Sequence, residues 1–165
     1  MFSGINKLFS VYKMPQPELR QDPVTGVWVI VSEGRSDKPD KFARSNGNVT
    51  LPNHDPTCHF CPSNEHLTPP EVEAYRDSNN SNVWWQRVVP NKYPFLSLEA
   101  RLDDGKFIRD GMFVRTGGYG NHEVIIEDPL HNRDIHERPE DLVREMWWML
   151  RNRLADNHSK GLENV

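Results

Sequence analysis

The chain has 165 residues, 27% of them charged and 36% hydrophobic, which suits one soluble globular domain. With 24 acidic side chains against 20 basic ones the formal charge is −4, so no general positive field exists for nucleic acid or an anionic membrane, and an anionic ligand must be met by a local cluster. No unbroken apolar run exceeds five residues, whereas a bilayer span needs about 20, so neither a nucleic-acid nor a membrane partner is expected.

The first 13 residues carry Phe2, Ile5, Leu8, Phe9, Val11 and Tyr12 but lack a compact apolar core and a small-residue cleavage site, so no signal peptide is expected. With Pro15 and Pro17 following, residues 1–17 read as a flexible N-terminal extension and residues 18–165 as the domain. Thr25-Gly26 forms a turn into residues 27–31, whose β-branched and aromatic side chains predict a buried strand. Residues 38–56 turn to Pro, Asp, Asn, Ser and Gly, the chemistry of a loop. A second strand is predicted over 83–89, ended by Pro90 and Pro94. A third, over 106–114, is weakened by Gly111, and a fourth, over 122–127, is introduced by Gly117-Gly118-Tyr119-Gly120. The one clear helix starts with Pro139 at its first position and Glu140 and Asp141 in its first turn. Leu142, Val143, Met146, Trp147, Leu150 and Leu154 follow at helical spacing, a stripe that should cover a sheet and include one of Trp147 and Trp148. Strands with no helix between most of them, then one helix, predict an α+β fold with an antiparallel sheet and a packed helix.

The loop after residue 56 delivers the only two cysteines, Cys58 and Cys61. In a cytoplasmic chain, the location expected here, that spacing more often binds metal or performs redox chemistry than forms a structural disulfide. Both thiolates can reach one zinc ion at about 2.3 Å. The redox reading is weakened because no strand leads into the motif and no helix clearly follows it to lower a thiol pKa. Of seven histidines, His131 is best placed to join them, folding back from the end of the fourth strand, with His122 and His136 also open. Arg35 and Lys38, just past the first strand, could meet a phosphate, although two basic residues in a loop by themselves read first as a solvated charged turn. Asn91, held between Pro90 and Pro94, offers a donor and an acceptor to a base or ribose, or serves as a turn residue. No Ser/His/Asp set, phosphate-binding glycine loop or dinucleotide fingerprint is present.

These motifs line up as a set. Glu18-Leu19-Arg20-Gln21-Asp22-Pro23-Val24-Thr25-Gly26-Val27-Trp28-Val29-Ile30, then residues 35–39, Cys58-His59-Phe60-Cys61-Pro62-Ser63-Asn64-Glu65 and Thr68-Pro69-Pro70-Glu71-Val72 come first. Arg87-Val88-Val89-Pro90-Asn91-Lys92-Tyr93-Pro94, His122-Glu123-Val124-Ile125-Ile126 and Asp128-Pro129-Leu130-His131 follow. In this order, over residues 18–155, they resemble the N-terminal half of galactose-1-phosphate uridylyltransferases, a family of the histidine-triad superfamily.

The resemblance implies that Cys58, Cys61 and His131 are zinc ligands, that Arg35 and Lys38 lie near the sugar-nucleotide phosphates, and that Asn91 lies near the base and ribose. Ser36-Asp37 departs from the family, whose members often carry a further lysine there, and sets a negative charge beside the phosphate loop. The implied reaction moves a uridylyl group between UDP-glucose and galactose 1-phosphate through a covalently held histidine, which divides one difficult displacement into two easier ones. In the family that histidine belongs to a His-Pro-His segment whose first histidine is a fourth zinc ligand, and this sequence contains no such segment. The chain is therefore expected to be a truncated domain, inactive alone, with a homodimeric partner or a complementing C-terminal half. A related ADP- or GDP-sugar phosphorylase fragment and a non-catalytic zinc module are the alternative expectations.

Overall fold

The computed structural model describes residues 16–33, 50–100 and 106–162. The expected antiparallel α+β arrangement is observed, with its strands divided between two sheets. The first has the order β2-β1-β6-β5, made of β1 (Glu18–Gln21), β2 (Trp28–Val31), β5 (Ile108–Asp110) and β6 (Phe113–Gly117). The second has the order β3-β4-β7, made of β3 (Glu73–Arg76), β4 (Trp84–Pro90) and β7 (Glu123–Ile126), and α1 (Glu140–Ser159) follows it in the chain.

Two strands escape a hydrophobicity pattern. β1 reads Glu-Leu-Arg-Gln, yet it sits centrally, pairing Arg20 with Val29 on one side and with Arg115 on the other. Its exposed face is organised by charge: Glu18 accepts from Arg20 at 2.9 Å and from Arg115 at 2.6 Å. β3 is an edge strand whose Arg76 pairs with Glu71. The predicted strand over 106–114 is corrected to a hairpin. Gly111, at φ +58°, takes the first of two loop positions, where a positive φ matches the twist of the flanking strands.

Residues 27–31 do form strand β2 from Trp28, but not a buried one. Trp28, Val29 and Ile30 are 39–47% exposed; β2 is an edge strand of its sheet, with the Phe107 ring set against Trp28 at 5.5 Å. The chain is fixed from Pro17, which is buried and accepts the Gly118 N–H at 2.7 Å; residues 1–15 lie outside the described residues.

The core lies on the second sheet. Trp84, Val89 and Ile126 cluster on one face with Val124 packed against them. In β4 the register slips by one residue, since Tyr75 pairs with Gln86 and Arg76 with Trp84. The extra residue, Trp85, joins Gln86 in reaching α1: the Trp85 indole donates to Glu145 at 2.6 Å and the Gln86 amide to the Leu142 carbonyl at 2.8 Å.

Helix α1 places Pro139 at its N-cap, one position before the expected one. It closes with Gly161 at φ +75°, the Leu162 N–H reaching the Asn157 carbonyl and the Gly161 N–H that of His158, a Schellman ending that also buries Leu162. Its covered face centres on Met149, which is wholly buried, flanked by Leu142, Glu145, Met146 and Arg153. The expectation that one of the two adjacent tryptophans lies in the covered stripe is corrected: Trp147 and Trp148 are 59% and 51% exposed. A three-stranded sheet is too narrow to cover the whole apolar arc, and polar side chains at 145 and 153 hold the helix by hydrogen bonds to Trp85 and Glu123 instead.

Candidate metal centre

The cysteine loop is held by side chains acting on backbone. Asp55 accepts from the Thr57 N–H and hydroxyl, both at 2.7 Å, opening a succession of tight turns. The Asn64 amide then donates to the carbonyls of Asp55, Pro56 and Cys58 at 3.4, 3.0 and 2.8 Å, closing the loop on itself. Ser63 adopts φ +73°, a left-handed residue that turns the chain out of the knuckle. Two backbone N–H groups aim at the sulfurs, Phe60 at Cys58 Sγ and Asp55 at Cys61 Sγ, each at 3.4 Å.

His131 arrives from the other side of the chain, after β7. Its N–H donates to the Asn53 carbonyl at 2.8 Å, and the Asn132 amide donates to the Leu51 carbonyl at 3.1 Å, so the segment after β7 is sewn to the strand of chain entering the cysteine loop. The result brings Cys58, Cys61 and His131 together, with one ligand atom of each lying within 4.8 Å of the others. Cys61 Sγ and His131 Nδ1 are 3.5 Å apart. Zinc bonds of about 2.3 Å to sulfur and about 2.0 Å to nitrogen, set at a tetrahedral angle, would separate those atoms by about 3.5 Å. Two thiols and an imidazole are also the donor types that zinc prefers. The three residues therefore fit a metal ion. Burial pushes the Cys61 thiol up from its ordinary range, opposed by the Asp55 N–H. Both cysteines are free of disulfides.

Of the other histidines considered, His54 Nε2 contacts the Pro62 carbonyl at 3.0 Å, and neither it nor His66, His122 or His136 joins the group among the described residues. His122 sits at the far end of β7, beside Asn91. The Asn91 N–H donates to the His122 carbonyl at 2.8 Å, its Oδ1 accepts the Tyr93 N–H at 2.8 Å, and its Nδ2 lies 3.2 Å from His122 Nε2. The Phe95 N–H donates to His122 Nδ1 at 2.9 Å, with the Phe95 ring stacked on the imidazole at 5.4 Å. Asn91 thus hydrogen-bonds within the turn after β4 and with His122, at the end of β7 opposite the metal group. Arg35 and Lys38 lie outside the described residues. Sequence reasoning overlooked Asn64 and Asp128, the residues that shape the two loops; the signal available was an Asx residue a few positions from each ligand.

Comparison with known proteins places this geometry. The family described as galactose-1-phosphate uridyl transferase, N-terminal domain, matches residues 10–160. An ADP-glucose phosphorylase of Arabidopsis thaliana is 37% identical over 123 residues, covering 73% of this chain and 33% of that protein. A galactose-1-phosphate uridylyltransferase of Haemophilus influenzae is 38% identical over 120 residues, covering 72% and 32% respectively. The chain thus spans about a third of the length of these relatives. Among solved structures, a uridylyltransferase matches in fold at a TM-score of 0.55 and 19% identity, over 87% of this chain and 36% of that one. The chain belongs to the galactose-1-phosphate uridylyltransferase family, of which it carries the N-terminal domain.

Proposed function

We propose that the chain contributes the N-terminal part of a nucleotidylyltransferase that acts on a sugar nucleotide and a hexose 1-phosphate, with zinc held by Cys58, Cys61 and His131. The observation carrying this reading is the convergence of those three ligand atoms from segments 70 residues apart, in a chain of this family. The metal's part is to fasten the cysteine loop to the segment after β7, and so to the sheet that ends in Asn91. Asn91 and the basic loop of Arg35 and Lys38 are assigned to the nucleotide, and the cytoplasm to the protein. No His-Pro-His segment occurs in this sequence, so the chain by itself supplies no family nucleophile.

The uridylyl reading is supported by the Haemophilus influenzae relative, and a second reading, phosphorolysis of an ADP-sugar, by the Arabidopsis thaliana relative at nearly equal identity. Titration of the purified chain with UDP-glucose and with ADP-glucose separates them by which base is preferred. Incubation with UDP-glucose and galactose 1-phosphate should give no UDP-galactose, and turnover by this chain alone would refute the assignment of the nucleophile elsewhere. One zinc per chain after gel filtration, lost in Cys58→Ser, supports the metal centre; a folded, metal-free wild-type chain removes it.

A further inference from the structure

The geometry points to Asp128 as the positioning residue for His131, holding the imidazole at the metal through the backbone of the segment between them. This inference rests on the zinc reading above and adds a residue to it. Asp128 is a nearly buried carboxylate, its side chain 3% exposed, and both oxygens are used. Oδ1 accepts the Leu130 N–H at 2.8 Å, which fixes the turn immediately before His131. Oδ2 accepts from Arg133 Nε at 2.7 Å, with Arg133 NH2 also at 2.7 Å, which pins the segment again on the far side of His131. Arg138 Nε stands 3.0 Å from the same oxygen; its side chain is wholly buried and the residue immediately precedes the N-cap of α1.

The carboxylate therefore brackets His131, with one contact a residue before it at Leu130 and the other two residues after it at Arg133, and its approach to Arg138 links that bracket to the start of the helix. On the cysteine side His131 donates its own N–H to Asn53, and Asn132 its amide to Leu51. With position 131 gripped from both directions, Nδ1 is presented 3.5 Å from Cys61 Sγ. Outer-shell groups that orient a metal-bound histidine typically alter affinity by about 10–100-fold. Asp128 performs that task through the main chain, not by touching the ring.

The test measures zinc affinity of the full chain by competition with a chromophoric chelator, for wild type, Asp128→Ala, His131→Ala and the double variant. Asp128→Ala should weaken zinc binding by about 10–100-fold in the wild-type background, and by less than about twofold once His131 is already gone, because groups acting through one another are not additive. A purely structural aspartate would instead lower affinity by the same factor in both backgrounds, which overturns the proposal. If Asp128→Ala does not fold, Asp128→Asn carries the same cycle: it keeps an acceptor for the Leu130 N–H, loses the charge held by the arginines, and should show a smaller, still His131-dependent loss. Cobalt(II) substitution gives a second readout, the visible spectrum of Asp128→Ala shifting toward that of His131→Ala. A wild type that binds no zinc removes the metal centre and this inference together. A wild type that binds zinc beside an unaffected Asp128→Ala sinks the inference alone.

Discussion

Arg87 lies in the central strand of the second sheet with its side chain only 3% exposed. Its positive charge is hydrogen-bonded to one carboxylate, Glu71 Oε2 at 2.8 Å from Nε, and lies 5.4 Å from the Trp84 ring, while its NH1 makes no hydrogen bond among the described residues. Replacing Glu71 with Gln would leave that guanidinium buried without its hydrogen-bonded counter-charge, with Glu65, on the Trp84 indole, still acting on it through space. Breaking a buried pair on one side costs about 3–5 kcal/mol; Glu71 is itself 28% exposed, so water relieves part of this and the lower end, about 3 kcal/mol, is expected. For a domain of this size that is a fall in Tm of about 6–12 °C. The measurement is urea unfolding of both proteins at pH 7. The variant should also respond differently to acid. Burial would raise the Glu71 carboxyl pKa, but the hydrogen bonds from Arg76 and Arg87 outweigh it and hold the pKa below its ordinary value. A depressed folded pKa means that this stabilisation is complete above the unfolded value of about 4.3 and is lost as the pH falls through the folded one. The gap between wild type and Glu71→Gln should therefore close below about pH 4. A Glu71→Gln protein within 0.5 kcal/mol of wild type at pH 7, on the order of an ordinary surface change, would refute the reasoning.

Other changes probe the remaining layers. Met149→Ala should cost about 2–5 kcal/mol by opening a cavity under α1, whereas Trp147→Gln, at a position 59% exposed, should stay within about 0.5 kcal/mol by the same unfolding assay. Gly118→Ala would set a Cβ 2.9 Å from the Pro17 carbonyl oxygen and 3.0 Å from its carbon, both backbone atoms; a loss of about 1–3 kcal/mol is expected, with the N-terminal junction becoming the first site of limited proteolysis. Cys58→Ser should release zinc and speed alkylation of Cys61, measured by mass spectrometry with and without added zinc.

How much of this was legible beforehand depended on whether local chemistry or long-range packing set the outcome. The predicted second and fourth strands were readable as short apolar runs marked off by Pro90 and by Gly117 to Gly120, and the helix by apolar residues at helical spacing after Pro139. β1 and β3 were not, because Glu18 in the one is held by ion pairs with Arg20 and Arg115 and Arg76 in the other by an ion pair with Glu71, which no periodicity reveals. Trp147 was misplaced for a related reason: an apolar arc on a helix says that something can be covered, and the width of the opposing sheet says how much is.

At the metal centre the division is sharper. The amino-acid order alone determined that Cys58 and Cys61 sit on one short loop where both sulfurs can reach one ion, since a two-residue gap constrains them whatever the rest of the chain does. Spacing favoured His131 while leaving His122 and His136 open, and the family resemblance named His131; only the tertiary structure shows how it is brought to the pair. His131 reaches Cys61 because β7 pairs with β4 and its following segment hydrogen-bonds to residues 51–53, contacts that span some 80 residues of chain and leave no mark on local spacing.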